Sequence, residues 1–176
     1  PALPDWQGRY ARRFRAGDGC LFALSPNRSS PLHGGVYRLC PAVGGWEHIA
    51  TTAPIDRWDH SCAYDRGHLY GTFNDCVQSV NLSTGQWEEL PRLSEYRSDA
   101  TLCVVDGRLF VIGGQTASVE EYVASEKRWV SIPELPIPIS GAAAVALDGK
   151  LLVIGGFDEF FDQISSAVWE YNPRDR

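Results

Sequence analysis

Three arginines recur at one register of this chain and could bind an anionic group together. Arg9, Arg57 and Arg97 each precede a leucine by twelve residues. A guanidinium offers its donors in a fixed fork that matches a carboxylate or a phosphate. If the three side chains converge, they form a basic collar for an acidic or phosphorylated peptide. Alternatively, each arginine only braces the loops around it.

A second candidate for binding is the segment 157–163, in which Phe157, Phe160 and Phe161 are interspersed with three acidic residues. The segment is longer than its counterpart at 115–118. Aromatic side chains on loops are typical anchors of protein interfaces. Alternatively, one or two of the rings fold back beneath the loop or pack on neighbouring structure.

Three more residues, Tyr10, Trp58 and Ser140, directly follow the arginine positions or their equivalent. They could line the same surface with groups that stack or hydrogen-bond. Alternatively, these residues are simply packed, as a tryptophan at the end of a loop often is.

The chain shows no pattern for catalysis. Its four histidines form no i, i+4 pair and have no cysteine at metal-ligand spacing. No phosphate-binding loop, dinucleotide fingerprint or nucleophile elbow occurs. We therefore expect no catalytic residue, no metal site and no cofactor. The formal net charge of -6 argues against nucleic-acid binding, and no apolar stretch approaches the roughly 20 residues that cross a bilayer.

The five cysteines form an odd set without a CxxC pair. Several lie in apolar runs, where a free cysteine acts as a small hydrophobe. We interpret all five as reduced, which predicts a cytoplasmic location, with the nucleus as an alternative. Two glycosylation sequons, at 27–29 and 81–83, point the other way, but such tripeptides are common by chance. The cysteines are Cys20, Cys40, Cys62, Cys76 and Cys103.

Internal repetition is the strongest signal in the sequence. Residues 106–114 match 148–156 almost completely, with a spacing of 42 residues. Trp46, Trp87 and Trp129 keep a similar interval, at 41 and 42 residues. Two independent markers thus give one period, and a period of this length is typical of propellers and other repeat architectures.

Each repeat contains two apolar runs separated by a tight turn, then two further strand-length segments. The turns at 106–107 and 148–149 are Asp-Gly, which suits the positive φ of two-residue hairpins. The first two runs are apolar on both faces, so each sheet must be covered on both sides. Radial stacking of four-stranded blades satisfies that requirement. The outer strands, such as 120–122, are expected to be more polar.

A glycine pair, then a tyrosine, then a tryptophan resembles the kelch repeat. This resemblance implies an all-β fold, a kelch-type β-propeller whose glycine pairs end the second strand and whose tyrosines and tryptophans pack between blades. A propeller of WD40 repeats is the runner-up, but its Trp-Asp pair occurs once only, at 58–59. The repeat markers are Gly113, Gly114, Gly155, Gly156, Tyr122, Tyr171, Trp46, Trp87 and Trp129.

The repeats predict about four blades, at about 8–54, 57–93, 97–136 and 140–176. The fourth blade would lack its outer strand, and kelch rings more often have six blades, so we expect a partial ring. Uncovered apolar faces on its first and last blades would make residues 1–176 pair with another copy or aggregate. The alternative is a compact ring of four blades.

The resemblance also implies a function. Kelch-like proteins of the BTB class use the propeller to hold a protein for ubiquitination, while a BTB region binds a cullin. The segment 119–129 is similar to that group, so we expect a protein-binding, non-enzymatic module whose cullin contact lies outside this chain. Actin binding or cytoskeletal scaffolding is the alternative, and a kelch-fold oxidase or sugar-processing enzyme ranks third.

Overall fold

The computed structural model describes residues 12–15, 19–25, 35–42, 44–51 and 61–173. Every regular element in these ranges is a β-strand, and none of them holds a helix long and apolar enough to cross a membrane. The strands in chain order are β1 (Arg12–Arg15), β2 (Leu21–Ser25), β3 (Gly35–Leu39), β4 (Trp46–Thr51), β5 (Ser61–Asp65), β6 (His68–Phe73), β7 (Cys76–Asn81), β8 (Trp87–Glu89), β9 (Thr101–Val105), β10 (Arg108–Ile112), β11 (Val119–Val123), β12 (Arg128–Ile132), β13 (Ile139–Ser140), β14 (Ala143–Leu147), β15 (Lys150–Ile154), β16 (Phe157–Asp158), β17 (Gln163–Ile164) and β18 (Val168–Tyr171).

Three sheets have four strands each, in the orders β1-β2-β3-β4, β5-β6-β7-β8 and β12-β11-β10-β9. Neighbouring strands are consecutive in sequence, which is the meander expected from turns about every ten residues. The last part of the chain forms two three-stranded sheets, β14-β15-β18 and β13-β16-β17. The segment between β15 and β18 thus builds a small sheet of its own with β13.

The chain packs as two compact units. Of the described residues, the first comprises those from 12 to 51 together with 64–69 and 80–88, and the second comprises 61–63, 70–79 and 89–173. In the first unit, Phe22 of β2 is buried and stacks on Tyr64 of β5, with ring centroids 5.7 Å apart. The second unit contains both hydrophobic cores described below.

The hairpin turns have the geometry that the sequence predicts. Asp106 and Gly107 have φ of 50° and 76°, and Asp148 and Gly149 have φ of 51° and 75°. Positive φ at both central residues matches the right-handed twist of the flanking strands. Local chemistry therefore fixes the pairing of β9 with β10 and of β14 with β15.

The first core of the second unit lies on one face of the sheet β9–β12. Leu102, Leu109 and Val111 pack there with Ala63 and Val77, and all five are buried. Fully burying a leucine or valine side chain contributes about 1.5–3 kcal/mol. This face of the sheet is therefore a major source of stability.

The second core lies on the opposite face of the same sheet. Val105, Phe110 and Ile112 pack there with Leu151 and Val153 of β15, again all buried. Consecutive residues of β9 and β10 thus enter different cores, because side chains alternate across a strand. The sheet β9–β12 is covered on both sides, as its uninterrupted apolar runs predict.

Tyr122 and Trp129, two of the repeat markers, pack at the edge of the first core. Their ring centroids are 5.1 Å apart, and Trp129 Nε1 donates a hydrogen bond of 2.7 Å to the carbonyl of Pro91. The indole therefore buries its apolar body while its polar nitrogen keeps a partner.

Strand β11 carries the polar residues expected of an outer strand, but its two acidic side chains are buried. Glu120 and Glu121 are both buried, and each carboxylate is paired with an arginine. Arg108 donates from Nε and Nη2 to Glu121 at 2.6 Å, and this hydrogen bond raises the pKa of the guanidinium. A carboxylate can be buried in this way when a cation accompanies it.

The cysteines are not all reduced, so that prediction is wrong for one pair. Cys20 and Cys40 form a disulfide that joins the residue before β2 to the residue after β3. The hairpin pairing of β2 with β3 brings the two positions together, although they are 20 residues apart in sequence. Cys76 and Cys103 are buried thiols outside any disulfide. The cytoplasmic location inferred from reduced cysteines stays a prediction.

We expect Gly114→Ala to destabilise the second unit by overpacking. Gly114 has φ of +94°, and a Cβ there would lie 2.8 Å from Arg97 Cβ and 2.9 Å from Ala100 Cβ. Gly141 is the matched control, because its φ is +61° but a Cβ there meets nothing within 4 Å. In urea unfolding, Gly114→Ala should lose about 1–3 kcal/mol more than Gly141→Ala. Equal losses would contradict a steric need for glycine.

Candidate functional site

Four loops of the second unit are joined by backbone hydrogen bonds, and we call residues 94–99, 115–118, 138–141 and 157–164 the loop surface. Ile139 N donates to Thr116 O at 3.2 Å, and Gly141 N donates to Asp99 O at 2.9 Å. Strand β13 pairs with β16, so the last loop is attached to the third. The four loops therefore form one connected structure.

Arg97 lies beneath the loop surface with its side chain fully buried. Its Nη1 donates to the carbonyls of Gly113 and Ser118, at 2.9 and 2.8 Å. Its Nη2 donates to Glu120 Oε1 at 2.7 Å. One guanidinium thus ties the loop 94–99 to both ends of the turn between β10 and β11.

Glu120 extends this network to the start of the first loop. Both of its carboxylate oxygens accept a hydrogen bond from Ser94 N, at 3.3 and 3.2 Å. Glu95, at the surface, accepts from the hydroxyls of Thr116 and Ser118. The loops are therefore held by paired charges and by direct hydroxyl contacts, and within this buried network Arg97 Nε is the donor left without a hydrogen bond.

The predicted collar positions have different fates. Arg97 is engaged in bracing and has no exposed surface for a ligand, and Ile139 at the equivalent position is buried as well. Arg9, Tyr10, Arg57 and Trp58 lie outside the described residues, so their part in partner binding stays a prediction. At Arg97 the geometry favours the bracing interpretation over the anion-binding one.

The segment 157–163, which we call the aromatic loop, carries two of its phenylalanines at the surface. Phe160 and Phe161 are 73% and 62% exposed, and their rings meet edge to face with centroids 4.8 Å apart. The buried carboxylate of Asp158 accepts from both of their backbone amides, at 2.9 and 3.1 Å. The exposed rings therefore sit on an ordered turn, while Phe157 is half-buried within β16.

Ser140 lies under this loop, where its hydroxyl donates to Glu159 Oε1 at 2.5 Å. It is buried, so it positions the loop instead of lining an open surface. Glu159 N also donates to the carbonyl of Pro138, at 3.1 Å. The structure thus places Ser140 beside the aromatic loop, which its hydroxyl supports through Glu159.

Two exposed apolar residues of the loop surface were missed by the sequence analysis. Tyr96 is 65% exposed and Ile164 is 79% exposed. Tyr96 precedes Arg97 directly, so its place beside a collar position was an available signal. Ile164 belongs to the same long insertion as the phenylalanines, but its exposure could not be derived from the apolar residue type.

The charge of the loop surface is negative within the described residues. Glu95, Asp99, Glu159 and Asp162 are at least partly exposed there, whereas Arg97 is buried and ion-paired. This potential disfavours an acidic ligand close to the aromatic loop.

Among the described residues, no three His, Cys, Asp or Glu side chains lie close enough together to hold a metal ion. The buried thiol of Cys103 is a poor nucleophile, because desolvation raises its pKa to about 11. Cys103 packs in the second core with other apolar side chains, which fits a structural role.

Comparison with known proteins identifies the repeat. The kelch motif matches residues 96–136 and 138–176. The chain is 35% identical over 71 residues to Kelch repeat protein C2 of Vaccinia virus (strain Western Reserve), which covers 37% of this chain and 13% of that protein. It is 30% identical over 95 residues to Kelch repeat protein M-T8 of Myxoma virus (strain Lausanne), covering 49% of this chain and 18% of that protein.

The fold is similar to the solved structure of YjhT, with a TM-score of 0.75 and 9% sequence identity. The similarity covers 94% of this chain and 66% of YjhT. Together these similarities support a kelch-repeat protein, and the predicted fold class, an all-β propeller of the kelch type, is confirmed. The chain spans only a small part of the length of its viral relatives.

We expect Arg97→Ala to lower the free energy of unfolding by about 3–5 kcal/mol, because it leaves the buried Glu120 without its cation. Arg92 provides a control: it pairs with Asp75 at 2.8 Å, but its side chain is 61% exposed. Arg92→Ala should change stability little, since water screens that pair. Urea unfolding followed by tryptophan fluorescence measures both. A loss at Arg97 no larger than that at Arg92 would contradict the bracing role.

Proposed function

We propose that the chain is the substrate-recognition propeller of a BTB-kelch adaptor for a cullin-type ubiquitin ligase. The kelch repeats support the broader statement, that of a protein-interaction module without enzymatic activity. The cullin would be bound by a BTB region outside residues 1–176. The target protein would be bound by the loop surface.

The exposed pair of Phe160 and Phe161 is the observation that carries this proposal. The two exposed rings would be shielded from water only by a bound partner. Hydrogen bonds to Asp158 already fix their backbone in the free chain. Preorganised aromatic anchors are the residues that carry most of the energy of a protein interface. The loops that surround them are braced by Arg97, so little ordering cost remains at binding.

Two kinds of partner contact are compatible with this proposal. The aromatic loop favours an apolar contact bordered by neutral or basic groups, since Glu159 and Asp162 lie next to the rings. Arg9 and Arg57 remain proposed contacts for an acidic or phosphorylated segment of the partner.

The alternative function is actin binding or cytoskeletal scaffolding, which would use the same loop surface. An oxidase or a sugar-processing enzyme ranks third, because a propeller can also carry catalysis.

We expect the double variant Phe160→Ser, Phe161→Ser to lose partner binding without losing stability. Each ring is mostly exposed, so its removal leaves no cavity, whereas loss of an interface anchor costs about 2 kcal/mol or more per residue. Proteins captured from cell lysate by the immobilised chain, quantified by mass spectrometry, should fall at least about tenfold. The control variant is Lys127→Asn, which changes the exposed turn after β11, at the end of that strand away from the loop surface. It should capture the same amount of protein as the unaltered chain. Undiminished capture by the double variant would count against the aromatic loop as the binding site.

A second experiment separates the two proposed functions. The whole gene product, tagged and purified from cells, should carry a cullin and ubiquitin-ligase components if it is an adaptor. The double phenylalanine variant should keep the cullin and lose the target, because the two contacts are separate. Co-sedimentation of the chain with actin filaments, with no cullin recovered, would instead favour the scaffold.

A further inference from the structure

One face of the sheet β14-β15-β18 is apolar and exposed, and we call its residues the Val145 face. It lies opposite the face that enters the second core, because the core side chains Leu151, Val153 and Trp169 alternate with those of this face. Four of its five members are 41–59% exposed and the fifth, Leu152, is half-buried. The members are Val145, Leu147, Leu152, Ile154 and Val168.

The preceding repeat shows what covers these positions. The five equivalent residues of the sheet β9–β12 are at most 6% exposed, since the next sheet packs on them. In the first two strands of each sheet, equivalent residues are 42 positions apart in the sequence. In the third strands, Val119 and Val168 each lie three residues before the repeat tyrosine and pair with equivalent residues of the second strand. The equivalent residues are Cys103, Val105, Phe110, Ile112 and Val119.

In both cores of the second unit, one of the packed sheet faces presents the same residue types at equivalent repeat positions. The face of β9–β12 that packs in the first core presents Leu109, Tyr122 and Trp129. The face that packs in the second core presents Leu151 and Tyr171 in the same places. A partner for the Val145 face should therefore present a leucine next to large apolar side chains, on a β-sheet of the same repeat.

The first unit carries such a face, on which Leu21 is exposed and Leu39 and Trp46 are half-buried. Leu21 stands at the repeat position of Leu109 and Leu151, and it is 36% exposed where those two are nearly inaccessible. Leu39 pairs with Leu21 across the sheet, and Trp46 pairs with Leu39, so all three share one side. We call Leu21, Leu39 and Trp46 the Leu21 face.

A polar contact repeats along with the apolar ones. In the second core, Arg108 pairs with Glu121 and donates from Nη1 to the carbonyl of Pro173 at 2.7 Å. Lys150 and Glu170 occupy the equivalent positions beside the Val145 face and form an ion pair of 2.7 Å. On the Leu21 face, the position equivalent to Pro173 is Pro41, two residues after Leu39 and exposed.

We propose that the Val145 face of one copy binds the Leu21 face of a second copy, with Lys150 donating to the carbonyl of Pro41. The contact reproduces the packing of β9–β12 on β14-β15-β18. Each copy uses two different faces, so the association is head-to-tail and continues until the assembly closes or grows into a chain. The inference does not depend on the proposed function, because the Val145 face and the loop surface have no residue in common.

The test measures mass by light scattering and sedimentation for the purified 176-residue chain. The average mass should rise above the 19.5 kDa of one copy between about 1 and 100 μM. Leu21→Glu and Val145→Glu should each stay monomeric alone, since each removes one of the two faces. Mixed together, they should form a 1:1 complex of twice the single mass, because the Leu21→Glu copy keeps its Val145 face and the other copy keeps its Leu21 face.

Three results would overturn the proposal: a constant monomeric mass of the unaltered chain, self-association of the Leu21→Glu variant, or a mixture that stays monomeric. The double Phe160→Ser, Phe161→Ser variant should assemble like the unaltered chain, which excludes the aromatic loop as the contact. If either glutamate variant fails to fold, hydrogen exchange of the unaltered chain keeps the test decisive. Protection of amides in β2, β14 and β18 should increase with concentration, while that in β9 and β10 should not change, and the absence of this difference contradicts the proposal.

Discussion

Apolar side chains leave both faces of the sheet β9–β12 and are buried against other strands on either side. Leu109 and Val111 enter one core, whereas Phe110 and Ile112 enter the other. A short strand cannot bury enough area by itself, so this sheet depends on both of its neighbours for stability. The same constraint explains why the exposed face of β14-β15-β18 is the most unusual surface of the second unit, since its side chains belong to the buried type.

Packing of sheets side by side also brings their connecting loops together at one end. Backbone groups in those loops need partners, and Arg97 satisfies two carbonyls while Glu120 satisfies an amide. The ion pair is tolerated in the interior because each charge has hydrogen bonds in addition to its partner. A rigid scaffold thus carries loops whose tips can vary in sequence. Phe160 and Phe161 lie at the tip of one such loop.

The fold alone leaves the activity open, since propellers support both binding and catalysis. What distinguishes this chain is the chemistry at its surfaces: an aromatic pair on an acidic set of loops, and apolar sheet faces in the two units. The loops present few, large and preorganised contacts, as expected for recognition of another protein. The sheet faces present a broad apolar area of the kind that packs against another sheet of the same repeat.

The sequence by itself determined the meander order of the four-stranded sheets, the Asp-Gly turns and the glycine pairs, because these depend on residues close together in the chain. It also indicated the kelch class, since the 42-residue spacing repeats the same local signals. Only the tertiary structure decided that Arg97, Glu120 and Glu121 are buried and that Cys20 bonds to Cys40. The energy of a charge or a thiol depends on which distant group lies beside it, and a repeat pattern carries no information about that pairing.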